Sequence, residues 1–217
     1  MAPSSPDGHT TFGVLRTDGR ATADRLVRTW TEEVRAHLRR APGFLAAHLH
    51  LADDGTTLVD QGEWASEADY RKSFRDNPDC ARLRGIGDWP GVAVGTAFAG
   101  RAAPGIEGPA AGADPAVVVV AIRHLTEGAA DRVLDLLRES AGWKRSFPGF
   151  ISATPFVNRD GTLFVNHPKW DSETAYAAWV RDPRITEGQG AIAHWETAPP
   201  EYLRCTVVSG ITAEPTG

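Results

Sequence analysis

The sequence predicts an α+β protein built from two tandem ferredoxin-like (βαββαβ) units, and three observations carry that reading. One frame is written twice: Asp60-x3-Trp64-x5-Tyr70 and, 106 residues later, Asn166-x3-Trp170-x5-Tyr176. From Pro42/Pro148 to Trp89/Trp195 the copies keep register without a gap, with identical residues at Gly43/Gly149, Asp54/Asp160, Ser66/Ser172 and Ile86/Ile192 among others. Each copy also reads as strand, helix, strand, strand, helix, strand, the plan of a four-stranded antiparallel sheet with helices on one face. At 217 residues the chain is long enough for two domains with modest cores.

In the first copy, residues 11–16 form a strand, and residues 23–40 a helix with Leu26, Trp30 and Val34 on one face. Asp54-Gly55 marks a hairpin, residues 66–74 a second helix, and residues 92–98 the last strand. In the second copy, the β-branched run 116–122 opens the sheet, and residues 127–146 carry Val133, Leu134 and Leu137 at helical spacing. Residues 151–157 and 162–170 flank the Asp160-Gly161 turn, a helix capped by Asp171 or Ser172 is stopped by Pro183, and residues 202–208 make the fourth strand. Residues 100–115 are rich in Gly, Ala and Pro without apolar periodicity, so the domains are set at 10–100 and 116–212, with a linker at 101–115. Each sheet leaves one face bare, and two such faces in one chain can cover each other. The expectation is an intramolecular dimeric α+β barrel, present as a monomeric pseudo-dimer or as a homodimer.

The formal charge is −5, and lysine occurs only at positions 72, 144 and 169 among scattered arginines. That pattern lacks the basic patch of a nucleic-acid binder. No apolar run of 18 residues and no basic, then apolar, leader segment is present, which predicts no membrane partner and a cytoplasmic location. Cys80 and Cys205 stand at unrelated places in the repeat and suggest neither a disulfide nor a metal motif.

Alternation along a strand puts Phe164, Asn166, Pro168 and Trp170 on one face, with Val165, His167 and Lys169 on the other. Tyr176, on the following helix, reaches the same face. An amide, an indole N–H and a phenol would then meet among apolar walls, as small-molecule sites require. By residue type alone, a Trp and a Tyr at a strand-to-helix junction such as Trp170 and Tyr176 are more often core aromatics than catalytic groups. A mid-strand amide such as Asn166 needs a partner.

With this frame the chain resembles the antibiotic biosynthesis monooxygenase family, small dimeric α+β-barrel proteins of aromatic polyketide pathways. Asn166-x3-Trp170-x5-Tyr176 has the spacing of the Asn, Trp and Tyr that line the pocket in anthrone-oxidising members, which implies catalytic roles for these three residues. The arginine that follows the Tyr by fourteen positions in that group is Gly190 in the second half and Arg84 in the first. The set is divided between the halves, and Asp60, Trp64, Tyr70 and Arg84 are expected to bind substrate. The resemblance implies oxygenation of an anthrone-like aromatic polyketide by molecular oxygen, without metal or organic cofactor, through a stabilised enolate. It equally admits a ring-opening oxygenase that uses reduced FMN or FAD, or a non-oxidative polyketide cyclase or binding protein. A buried Asp60 would have a raised pKa and act either as a base or as half of an ion pair. His48 and His50 share a strand face but fall short of the three or four ligands of a zinc or iron site.

Overall fold

The structure, a computed structural model, describes residues 7–215. Of these, 7–100 and 207–215 form one compact unit and 101–206 the other. In the first unit, β1 (His9–Thr17) leads into α1 (Arg20–His37), β2 (Phe44–Ala52) and β3 (Thr57–Trp64). The short helix α2 (Glu67–Tyr70), a π-helical turn (Arg71–Arg75) and α3 (Ala81–Arg84) precede β4 (Val92–Ala102). The strands lie in the antiparallel order β4-β1-β3-β2 expected of the plan. Ala23, Leu26, Trp30 and Val34 recur three or four residues apart on α1 and are buried against Leu49, Leu58 and Trp64.

Local chemistry fixes the turns. Gly55 has φ +70°, which favours glycine, and Asp54 Oδ1 accepts hydrogen bonds from the amides of Thr56 and Thr57, both at 2.8 Å. Ser66 caps α2 by accepting from the Asp69 amide at 3.1 Å, and Ser172 does the same for Ala175 in the second unit at 3.2 Å.

The second unit contains β5 (Ile106–Glu107), β6 (Val117–His124), α4 (Ala130–Glu139), α5 (Ala141–Lys144), β7 (Phe150–Asn158) and β8 (Leu163–Trp170). It continues through α6 (Glu173–Arg181) and α7 (Pro183–Ala193) into β9 (Glu201–Thr212), whose residues 207–212 belong to the first unit. Its order, β9-β6-β8-β7-β5, repeats the plan with β5 added at the edge. Two expectations need correction, and one helix was not expected. The helix expected at 127–146 starts at Ala130 and breaks at Ser140, whose Oγ bonds back to the carbonyls of Leu136 and Leu137. The helix before Pro183 does end, at Arg181, but a second, unexpected helix begins at Pro183: Asp182 caps it through the Arg184 amide, and proline is tolerated at the first position because that N–H needs no partner. Residues 101–115 are also not structureless, since β4 runs on to Ala102 and Ile106 pairs with Ala153.

Both hairpins enter their strands through a glycine at φ +73°, Gly43 and Gly149. A Cβ at Gly43 would stand 2.3 Å from Asp69 Cβ, and one at Gly149 would stand 2.4 Å from Ala175 Cβ. Gly43→Ala and Gly149→Ala should each cost roughly 2 kcal/mol or more, because backbone strain and overlap act together. Gly112→Ala, at φ +90° with nothing within 4 Å, should cost less. Thermal melts of the three variants check this ordering.

Candidate active sites

Each unit encloses its own cavity, and their linings differ. The first-unit cavity, about 280 Å³, lies between α1 and the sheet. Asp60 stands midway along β3, opposite Gly13 on β1 and Leu49 on β2. The pairing of β1 with β4 is irregular between Gly13 and Leu15, and Gly13 brings no side chain to the cavity wall beside Asp60. The Trp30 indole donates a hydrogen bond to the Asp60 carboxylate. Surrounding protein nevertheless pushes the acid up to about 7, because an ionised carboxylate loses more hydration here than one indole returns. Asp60 keeps some accessible surface, so it is enclosed yet open to the cavity.

Trp64 and Tyr70 also line this cavity, with their rings edge to face at 5.6 Å. A Cβ at Gly62 would lie 3.3 Å from Trp64 Nε1, so the indole nitrogen sits above the bare backbone between Asp60 and Trp64. Burial pushes the Tyr70 phenol up, and the charge and hydrogen bond of Arg75 oppose that shift. Arg75 reaches the cavity wall, whereas Arg84, expected to bind substrate, does not. Arg84 Nη1 instead donates to the carbonyls of Phe74 and Asn77, which the end of the helical turn leaves without helical partners.

The second-unit cavity, about 310 Å³, is bounded by Pro104, Gly105 and Ile106 on one side and by Leu134, Leu137 and Ala141 on another. Asn166 forms part of its wall, between Ala121 and Pro155 on the neighbouring strands. Its Oδ1 is buried without a hydrogen-bond partner in the protein, a costly arrangement for an amide. Lys144 lines the same cavity, donates to Ser140 Oγ at 2.6 Å, and is pushed down by burial to about 8. Arg138 and Arg145 add two further cations, and no carboxylate is among the lining residues.

Trp170 and Tyr176, expected beside Asn166, do not line this cavity. Trp170 is 1% exposed, packed edge-on against Trp179 at 5.4 Å and Tyr176 at 5.0 Å, and its indole N–H is buried without a partner. The cause is steric. Trp179 stands where the first half has Ser73 and stacks on Phe150 at 5.0 Å, and Pro168 stands where the first half has Gly62. Tyr176 faces the Arg204 guanidinium, 5.3 Å from its ring centre. Of the three residues expected to be catalytic, the structure brings Asn166 alone to the second cavity, while Asp60, Trp64 and Tyr70 all reach the first.

The sequence reading missed Trp30, Arg75 and Lys144. Lys144 follows Leu137 and Ala141 at i+7 and i+3, so the signal was a lysine on an apolar helical stripe. His48 and His50 stack at 6.3 Å on β2. Among the described residues, no group of three or more His, Cys, Asp or Glu side chains is placed to hold a metal ion. Nor is any helix there long and apolar enough to cross a membrane.

A match to a family model falls in the second half of the chain. Residues 115–191 match the family model described as antibiotic biosynthesis monooxygenase. Over 75 residues the chain is 40% identical to the tetracenomycin-F1 monooxygenase of Streptomyces glaucescens; the match spans 33% of this chain and 63% of that protein's length. Along 97% of this chain and 96% of the other, the fold is similar to that of an anthrone oxidase-like protein, with a TM-score of 0.79 at 17% identity. It is also similar to a chlorite dismutase of Candidatus Nitrospira defluvii, with a TM-score of 0.58 at 11% identity over 94% of this chain and 93% of that one. Likeness at such identities concerns the fold, which hosts more than one chemistry. Sequence likeness to the antibiotic biosynthesis monooxygenase family thus lies in residues 115–191.

Proposed function

We propose that the protein is a monooxygenase that oxidises a phenolic polycycle of the aromatic polyketide class with molecular oxygen, and that the second-unit cavity is where it does so. The observation that carries the reading is Asn166: a buried amide with an unsatisfied oxygen, set in the wall of an otherwise apolar, cationic cavity within the segment that matches the family. Loss of a proton from the methylene conjugated with the substrate carbonyl, to a substrate hydroxyl or to solvent in the cavity, gives an enolate. The amide N–H of Asn166 and the Lys144 ammonium can stabilise that charge as it forms, each well-placed donor being worth on the order of 3 kcal/mol. Trp170 and Tyr176 then support the wall without touching substrate.

The reaction balances without an external reductant. An activated methylene supplies four electrons to O₂, one oxygen atom becomes the new carbonyl, and the other leaves as water with the two methylene hydrogens. In this reading the electrons come from the substrate, and neither flavin nor metal is needed. The test is oxygen uptake by the protein with a dihydroxylated anthrone and no added cofactor. Uptake that begins only when flavin and a flavin reductase are added would replace this with the flavin-dependent reading.

Asn166→Ala should lower that uptake by roughly a hundredfold or more while leaving the melting temperature within a few degrees. Unchanged kinetics in the folded variant would remove Asn166 from the mechanism.

The depressed Lys144 pKa gives the pH dependence. The ammonium form, present below about 8, is the one that stabilises an enolate, so uptake should fall as pH rises through about 8. Lys144→Met should lower the rate and erase this alkaline limb. An alkaline limb that persists in Lys144→Met would assign it to another group.

A further inference from the structure

We propose that the first unit holds a second, independent active site whose reaction is proton transfer at a carbon acidified by conjugation with a carbonyl, with Asp60 as the general base. The inference stands apart from the oxygenase reading, since it concerns another cavity with an opposite arrangement of charge. Where the second cavity gathers three cations and no acid, the first offers one enclosed carboxylate.

The geometry supports it in three ways. Asp60 opens into a cavity lined otherwise by apolar and aromatic side chains; the other charged or titratable groups among its lining residues are Arg75 and Tyr70. Its carboxylate accepts a hydrogen bond from the indole of Trp30, a 1% exposed side chain that also lines the cavity. Gly13 and Gly62 leave bare backbone beside and beyond Asp60, the second directly beneath the Trp64 indole nitrogen. Asp60 and Trp64 are four residues apart on a strand, about 13 Å between Cα atoms. The Trp64 side chain leans back so that its nitrogen lies over Gly62, two residues or roughly 7 Å along the strand from Asp60, which lets one fused-ring ketone place its acidic C–H at Asp60 and its oxygen toward Trp64 and Tyr70. A carboxyl group held near 7 by burial is suited to take up and return a proton at neutral pH.

The step is complete in itself. The C–H electron pair moves into the enolate, the proton goes to the Asp60 carboxylate, and the Trp64 N–H and Tyr70 O–H donate to the enolate oxygen. Asp60 then returns the proton to the same carbon or to a conjugated one, so nothing is oxidised or reduced. Its substrates are enolisable polycyclic ketones, and its products are their tautomers.

The test is deuterium exchange into the methylene of a dihydroxylated anthrone in oxygen-free D₂O, followed by NMR. It uses the full chain carrying Asn166→Ala, so that the second cavity does not contribute. Exchange well above the buffer rate is expected. Adding Asp60→Asn should lower it by roughly a hundredfold or more. Adding Gly13→Leu, at a position where a Cβ meets nothing within 4 Å, should abolish it by filling the cavity without disturbing the fold. Trp30→Phe removes the bond that favours the ionised form, so it should move the acid limb of the exchange rate toward higher pH, which a purely structural role would not do. Exchange at the buffer rate in Asn166→Ala alone, or exchange that survives the further loss of Asp60, would overturn the proposal. Oxygen uptake by a chain carrying only Asp60→Asn reports on the oxygenase reading separately and should be retained.

Discussion

The repeated tryptophan at the end of the third strand of each half needs a place for its indole, and the residues around that place decide what each half can do. In the first half Gly62 offers no side chain, and the Trp64 nitrogen lies above it, facing a cavity that also receives Asp60 and Tyr70. In the second half the equivalent residue is Pro168, and Trp179 replaces Ser73. The additional ring closes on Trp170, and the open space moves along the strand toward Asn166 and the helix that carries Lys144. The repeated frame thus borders two pockets with different linings within one chain.

Burial then sets the charge in each. Asp60 and Lys144 are pushed toward neutrality from opposite sides, the acid up to about 7 and the amine down to about 8, because neither cavity supplies enough compensation for a charge removed from water. An ionised Asp60 is a cost to stability. Its folded pKa exceeds the unfolded value, so the stability it contributes is greatest at low pH and is lost as pH rises toward 7. Groups held at such a cost in a cavity are the ones available for proton transfer and charge stabilisation. By contrast, the buried Arg123, paired with Glu196 and Tyr202, is fully compensated within the second unit and is a structural cluster.

Much of the fold was legible in the sequence because its signals are local. Asp-Gly turns, serine caps and helical apolar stripes each act within a few residues, and the ungapped repeat tied the two halves together. What escaped depended on context. Pro183 reads as a stop unless Asp182 is recognised as the cap of a new helix, and residues 101–115 read as linker because their composition does not reveal that Ile106 finds an edge strand to pair with. The frame led to Asn166, Asp60, Trp64 and Tyr70 at cavity walls but misplaced Trp170 and Tyr176, since whether an aromatic lines a space or fills one depends on Trp179 and Pro168, residues outside the frame. Arg84 was misplaced because carbonyls at a helix end captured it.

The central claim is that one chain holds two chemically distinct binding cavities. Its most direct test is the stoichiometry of a non-reacting hydroxylated polycyclic quinone, measured by equilibrium dialysis against the intact protein and against two variants that each fill one cavity, Gly13→Leu and Ala141→Phe. The account predicts two molecules bound per chain and one in each variant. A single molecule bound per chain, displaced by Ala141→Phe and indifferent to Gly13→Leu, would contradict it.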